Sequence, residues 1–285
     1  MKKIGLLLLC SGLLVACSSS DYTSKVSDSG TTLVSGENIS VTKQDYFEYL
    51  LDYYGANKII SDTLVAIADK EVTDETQINT LLEQRKKDYA EYYDGDLTKY
   101  AQSLGFKTED EYIENALLPD VKQELLRKKY IEDNFDELLT TYQISRFKKI
   151  TVDKESTALS LIKEATSEDK FDELMDEYGT DAEDADIVTK NSTLDENLTK
   201  KLEEFSKVTK DGVYSEAIKL SDDNYAVVYL YDTAHEDKDE YIDAISADDD
   251  AKTDIEKYYL KKYNFNVYDE KLKEAIKDIS EDYIE

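Results

Sequence analysis

Phe147-Lys148-Lys149-Ile150-Thr151-Val152 opens the stretch that decides the fold, and Tyr225-Ala226-Val227-Val228-Tyr229-Leu230-Tyr231 closes it. Both runs are rich in the β-branched and aromatic residues that suit strands. Strand alternation puts Phe147, Lys149 and Thr151 on one face and Lys148, Ile150 and Val152 on the other. Between the two runs, Ala158, Leu161, Ile162 and Ala165 recur at helical spacing. So do Phe171, Leu174, Met175 and Tyr178. Gly179 fits a helix stop. Asp186-Ile187-Val188 suggests a short strand. Thr193-Leu194-Asp195-Glu196 has the form of a capping box, opening a helix with Leu198, Leu202 and Phe205. Residues 217–220 read as a strand antiparallel to 225–231, joined by Ser221-Asp222-Asp223-Asn224. The sum is a small antiparallel sheet flanked by helices.

On the N-terminal side the pattern is helical throughout. Thr42 can cap a helix bearing Tyr46, Phe47, Leu50 and Tyr54. Ile59, Ile60, Leu64 and Ile67 mark a second. Thr73 starts a third, long and charged, which Gly95 interrupts. A further helix bears Leu97, Tyr100 and Leu104 and stops at Gly105. Thr108-Glu109-Asp110-Glu111 caps the next, and Pro119 starts or kinks the helix through Val121, Leu125, Leu126, Tyr130 and Ile131. On the C-terminal side, residues 236–250 read as a solvated acidic loop that lacks EF-hand spacing. Ile255, Tyr258, Tyr259 and Tyr263 form a helical stripe, and a last helix over 268–284 carries Leu272, Ile276 and Ile279 on one face. The expected fold class is α+β: a mostly helical domain plus an α+β domain with a small antiparallel sheet.

Composition narrows function. The net charge of −30 over 285 residues opposes nucleic acid as a partner, since phosphate binding needs clustered Lys and Arg. It equally opposes broad adsorption to anionic lipid. A His-based metal site or a Ser-His-Asp triad would have to be built on the single histidine, His235, which has no nearby Cys or second His to help it. No metal or cofactor is expected, and His235 reads as a surface residue. Cys10 and Cys17 both lie at the N-terminus, which leaves the folded body without disulfides or thiolate chemistry. The 23 tyrosines, clustered as Tyr46, Tyr49, Tyr53, Tyr54 and as Tyr89, Tyr92, Tyr93, combine apolar area with one hydrogen-bonding group. Such residues serve ordinary packing and also suit a surface that grips many unfolded chains.

The first residues form a signal. Lys2 and Lys3 precede an apolar core of about 12 residues, too short to span a bilayer. Leu14-Val15-Ala16-Cys17 then has the form of a bacterial lipobox, with cleavage after Ala16 and lipidation of Cys17. Two acyl chains there would anchor the protein durably. The following polar residues, to about Glu37, read as a flexible tether. About 20 such residues have an r.m.s. span of roughly 25 Å and stretch to roughly 65 Å.

The order of elements over 146–231 resembles a parvulin, a small peptidyl-prolyl isomerase domain. The helical region, opening with Ile39-Ser40-Val41-Thr42-Lys43-Gln44-Asp45-Tyr46-Phe47, resembles the N-terminal domain of the PrsA and SurA chaperones. Lipobox, helical domain, parvulin-like domain and helical tail then follow in the order of a PrsA-type foldase. The resemblance implies these segments: signal peptide 1–16, lipidated cysteine and tether 17–37, helical domain 38–143, parvulin-like domain 144–233, and a C-terminal segment 234–285 that packs back on the N-terminal domain. It also locates the groove. Lys149 occupies the first family histidine position and Ala226 the second. Asp181, in Tyr178-Gly179-Thr180-Asp181, falls where parvulins place Asp or Cys, and Leu194 and Leu198 fall in the proline pocket. Prolyl isomerisation needs a shaped apolar pocket and hydrogen bonds that favour a twisted amide, against a barrier of about 18–20 kcal/mol. With both histidines replaced, the resemblance implies a foldase or chaperone on the extracytoplasmic face of a Gram-positive-type membrane, with isomerase activity weak or lost. Its partners would be unfolded or newly secreted proteins and, through Cys17, the membrane; a homodimer stays open. The alternatives are a working parvulin-type isomerase, a structural or adhesive surface protein, and a solute-binding lipoprotein. The last would require α/β alternation with glycine-rich turns, which nine glycines and long helical runs oppose.

Overall fold

The structure, a computed structural model, describes residues 24–178, 182–184 and 187–284. Ala16, Cys17, Gly179, Thr180 and Asp181 lie outside the described residues. The fold is α+β, with two small antiparallel sheets among many helices. In chain order, strands β1 (Thr32–Gly36) and β2 (Ile39–Thr42) lead into α1 (Lys43–Leu50), a π-helical turn (Leu51–Gly55) and α2 (Ala56–Glu71). Then come α3 (Glu75–Glu91), α4 (Leu97–Ser103), α5 (Glu109–Tyr112), a second π-helical turn (Ile113–Leu117), α6 (Leu118–Asp133) and α7 (Phe135–Thr141). The sheet region holds β3 (Phe147–Val152), α8 (Glu155–Glu164), α9 (Glu168–Glu177), β4 (Ala182–Asp184), α10 (Glu196–Thr199), α11 (Leu202–Phe205), β5 (Gly212–Val213), β6 (Ile218–Lys219) and β7 (Tyr225–Leu230). The chain finishes with α12 (Lys238–Ala247), α13 (Asp249–Lys262), α14 (Glu270–Ile279) and a 3-10 turn (Glu281–Tyr283).

The described residues form two compact units: 24–58 with 266–284, and the described part of 59–265. In the first unit, β1 and β2 pair antiparallel through a Glu37-Asn38 turn with Asn38 at φ 63°. Thr42 caps α1 reciprocally: its hydroxyl accepts from the Asp45 N–H, and the Asp45 carboxylate accepts from the Thr42 N–H. Helix α14 packs against the first π-helical turn, where Gly55 permits close approach. A Cβ at Gly55 would meet Leu51 at 3.1 Å and Leu272 at 3.5 Å. The segment from Ser24 onward, read from sequence as tether, is built into this unit. The Ser24 N–H donates to Asp269 at 2.6 Å, Gln44 bonds both the Val26 N–H and the Ser24 carbonyl, and Lys43 donates to the Ser27 carbonyl. Its polar composition concealed backbone partners that lie far away in sequence.

In the second unit, α6 is the hub. It packs on α3, α12 and α13. Arg85 of α3 forks onto both oxygens of Glu124 of α6, and Lys128 of α6 pairs with Asp243 of α12 at 2.7 Å. Residues 238–247, read from sequence as acidic loop, are helix α12. Within the acidic run, Tyr241, Ile242 and Ile245 share one helical face and are all buried. Asp248 then caps α13, and its carboxylate accepts from the Thr189 hydroxyl at 2.6 Å and from Asn191. The third long helix starts after Asp74, not Thr73, because the Asp74 carboxylate accepts from the Thr76 and Gln77 N–H groups.

The larger sheet runs β4-β3-β7-β5, with β6 also on β7, all antiparallel. Its two faces carry separate cores. On one, Ile150, Val152, Val227 and Tyr229 meet Ala158 and Leu161 of α8 and Phe171 and Leu174 of α9. On the other, Phe147, Ala226, Val228 and Leu230 meet Leu198 of α10 and Leu202 and Phe205 of α11. Two local readings change. Strand β4 covers 182–184, and Val188 makes only an isolated bridge to Ser145. Asp195, not Thr193, caps α10, because its carboxylate also holds the Ser221 N–H and hydroxyl across the 221–224 turn.

Candidate functional site

The sheet register decides what the second face can do. Lys149 lies opposite Val228, and Thr151 lies opposite Ala226. Lys149 and Ala226 are therefore diagonal neighbours on one face, roughly 7–8 Å apart by strand geometry. Leu198 and Ala226 sit in the same buried cluster, and Leu194 packs against it. Four of the five groove positions thus share one side of the sheet; the fifth, Asp181, lies outside the described residues. Leu198 is 1% exposed and Ala226 0%. Both are sealed core, so neither lines an open pocket.

Phe205 adds an aromatic ring to this buried cluster: it meets Phe147 at 5.7 Å and Tyr214 at 5.0 Å, both edge-on. The i, i+3 spacing from Leu202 signalled burial of Phe205, but only the return of β5 beside β7 brings Tyr214 to it. At the rim, the Tyr214 hydroxyl donates to Glu204, and Lys201 reaches Tyr214, Glu204 and Glu216. The Glu204 carboxyl is held below its usual range, first by the Tyr214 hydroxyl and then by Lys201.

The opposite face holds a buried cation. Lys148 is 9% exposed and bonds Glu168 and Asp172, each at 2.8 Å. Burial opposes its charge, yet the bonds and charges of Asp172 and Glu168 prevail and raise its pKa. This side chain fastens α9 to β3 and takes no part in the groove.

His235 is not a surface residue. It is half-buried at φ 54°, with its ring 4.7 Å from Tyr241 and 6.3 Å from Phe135. Burial lowers its pKa, against the charges of Asp232 and Asp136. Among the described residues, no cluster of three or more His, Cys, Asp or Glu side chains could hold a metal ion, and no helix is long and apolar enough to cross a membrane.

An open concavity lies in the helical part of the same unit. A cleft of about 460 Å³ runs between α3, α6 and α12. Its apolar lining is Leu81, Leu125 and Ile242; Gln77, Gln84, Thr76 and Thr80 add amides and hydroxyls, and Lys128, Lys129, Glu132, Asp239 and Asp243 add charges of both signs. Lys128 is held charged, since Asp243 and Glu124 outweigh the burial that opposes its charge. Such a surface offers apolar contact, hydrogen bonding and charge. Near the far end of α3, Tyr100 gathers Tyr89, Tyr92, Tyr93 and Tyr112 within 6.3 Å.

No protein-family model matches the sequence, and no curated protein matches it. Among solved structures, the chain resembles PrsA proteins over most of its length. One is the peptidylprolyl isomerase PrsA of Bacillus cereus, at 18% identity over 88% of this chain and 99% of that one, with a TM-score of 0.46. Another is PrsA of Bacillus subtilis, at 21% identity over 87% and 99%, with a TM-score of 0.42. A third is the foldase PrsA of Streptococcus pneumoniae, at 17% identity over 89% and 100%, with a TM-score of 0.38. Identities and scores of this size say nothing of the reaction, so the chemistry is argued from the residues of this chain.

Proposed function

We propose that this protein is an extracytoplasmic foldase of the chaperone kind, anchored to the membrane by lipid at Cys17. It holds newly translocated chains while they fold, and its parvulin-like region is a scaffold with little or no isomerase activity. The observation that carries this reading is the contrast between two surfaces. Leu198 and Ala226 on the sheet face are buried, while the helical part presents a cleft of about 460 Å³ lined by apolar, amide, hydroxyl and charged side chains. An isomerase must bind a twisted prolyl amide more tightly than the planar one. Lys149 and Ala226 supply no hydrogen-bonded pair for that purpose, and a sealed floor admits no proline ring.

Two assays on the chain from Ser18 onward test the reading together. In the first, a chemically unfolded client is diluted with and without the protein; aggregation falls at near-stoichiometric ratios. No suppression would defeat the chaperone reading. In the second, proline-limited refolding of a model protein proceeds at its uncatalysed rate. Strong acceleration would instead establish an active isomerase with an altered site. The segment boundaries 17–37, 38–143, 144–233 and 234–285 are part of this proposal, to be tested by limited proteolysis.

A further inference from the structure

Helix α1 and the π-helical turn after it present an apolar stripe that is exposed among the described residues. Tyr46, Tyr49, Leu50, Tyr53 and Tyr54 recur at i, i+3, i+4, i+7 and i+8, which is one side of a helix. All five are exposed, Tyr53 to 67%, and the Tyr49 and Tyr53 rings meet at 4.6 Å along the stripe. The hairpin before it adds an exposed Ile39. The inward side of the same segment is occupied: the π-helical turn packs on α14, with Gly55 facing Leu272. A stripe of this size is costly to leave in water, so something covers it.

Chain length identifies the occupant. Ser24, the first described residue, is fixed to Asp269. Only seven peptide steps separate Cys17 from Ser24, a reach of at most about 25 Å. The expected span of roughly 65 Å shrinks accordingly, and a lipid at Cys17 keeps this unit close to the bilayer. Tyrosine is the side chain that settles at a membrane–water interface, ring inward and hydroxyl wet. Exposed Asp45 and Asp52 flank the stripe, which disfavours anionic headgroups.

We propose that the α1 stripe docks on the neutral-lipid interface of the membrane in which Cys17 is anchored. The inference rests on the anchoring reading above. The lipid anchor supplies residence, and the stripe supplies orientation.

The test uses two facts of composition: the chain has no Trp, and Cys17 is its sole cysteine from position 17 onward. The chain from Cys17 is coupled through that thiol to a maleimide lipid in phosphatidylcholine vesicles, which supplies the anchor whether or not the cell does. Tyr53→Trp gives a single indole reporter, with Tyr46→Trp as a second and Tyr92→Trp as a control on an exposed tyrosine of the other unit. Brominated phosphatidylcholine lowers the emission of the two α1 reporters by about twofold or more, as expected for side chains at the headgroup–acyl boundary, and leaves the control unchanged. Adding Tyr49→Ser and Tyr54→Ser restores the emission. Equal quenching of all three reporters, or of none, overturns the proposal. Emission that depends on protein concentration but not on lipid overturns it in favour of a second copy. Loss of client protection in the Tyr49→Ser/Tyr54→Ser variant without lipid quenching overturns it in favour of protein clients. Mass spectrometry of Cys17 in the exported full chain tests anchoring separately: an unmodified thiol refutes that reading without touching the vesicle result.

Discussion

Two helices carry the same sequence pattern and meet opposite fates. In α9, Phe171 and Leu174 lie on one side and are buried at 0% and 2% exposure. In α1 and its π-helical continuation, Tyr46, Tyr49, Leu50 and Tyr53 repeat that spacing and stay exposed. A helix stripe fixes which residues share a direction; a second surface must arrive for them to be buried. The sheet arrives at α9, and Lys148 fastens the two together through Glu168 and Asp172. Strand β2 and residues 24–27 meet α1, and α14 meets its π-helical continuation, yet among the described residues none of them buries the stripe. Burial in α9 is thus a matter of stability, and exposure in α1 leaves the stripe free for function.

The comparison can be broken most forcefully at α9. Phe171→Ala should cost about 3–5 kcal/mol, through lost transfer energy and a cavity between Ile150, Leu161 and Tyr229. Urea unfolding measures it, and a loss near zero would mean that this face is not packed as described. Next, Ala226→His tests whether the groove is truly closed. The imidazole must enter a dry cluster with Val228 and Leu198, so we expect a loss of about 1–3 kcal/mol and no gain in prolyl isomerisation, even with Lys149→His added. Recovered isomerase activity would mean that the pocket opens in solution. Asp248→Ala removes the acceptor for Thr189, Asn191 and two N–H groups of α13, with an expected cost of about 2 kcal/mol.

His235 gives a smaller, pH-dependent effect. Its folded pKa is lowered by burial, so the unfolded chain binds the proton more readily. That contribution to stability is present above the ordinary imidazole range and is lost as pH falls through it. His235→Asn suits the left-handed backbone and should flatten the stability profile between roughly pH 7 and pH 5 relative to the parent. An unchanged slope would show that the ring is solvated. At the foot of the scale, Tyr53→Ser and Tyr46→Ser should change stability by no more than about 0.5 kcal/mol. A larger loss would show that the stripe is covered within the isolated chain.

Legibility followed the range of the interactions. The capping of α1 by Thr42, the antiparallel pairing of β6 with β7 and the two faces of β3 were all readable, because each rests on residues close in sequence or on the twofold alternation of a strand. The acidic run at 236–250 misled because charge dominated its composition; the apolar triad Tyr241, Ile242 and Ile245 was the signal for α12. His235 was misread because its partners, Phe135 and Tyr241, come from two different helices. Lys149, Leu194, Leu198 and Ala226 were singled out from sequence; register puts Lys149 and Ala226 on one side of the sheet, and packing brings Leu194 and Leu198 to that side. Whether that side was open could not be read, since Phe205 and Tyr214 reach it through separate turns of the chain.

By itself, the sequence determined the α+β class and the apolar stripes of its helices and strands. These follow from local chemistry: periodicity, capping and residue identity act over a few residues. Tertiary structure alone decided that Ser24 is fastened to Asp269, that the sheet face is sealed over Ala226, that a cleft opens between α3, α6 and α12, and that the α1 stripe is left uncovered. Each depends on which surfaces meet, and that is set by packing among segments tens to hundreds of residues apart.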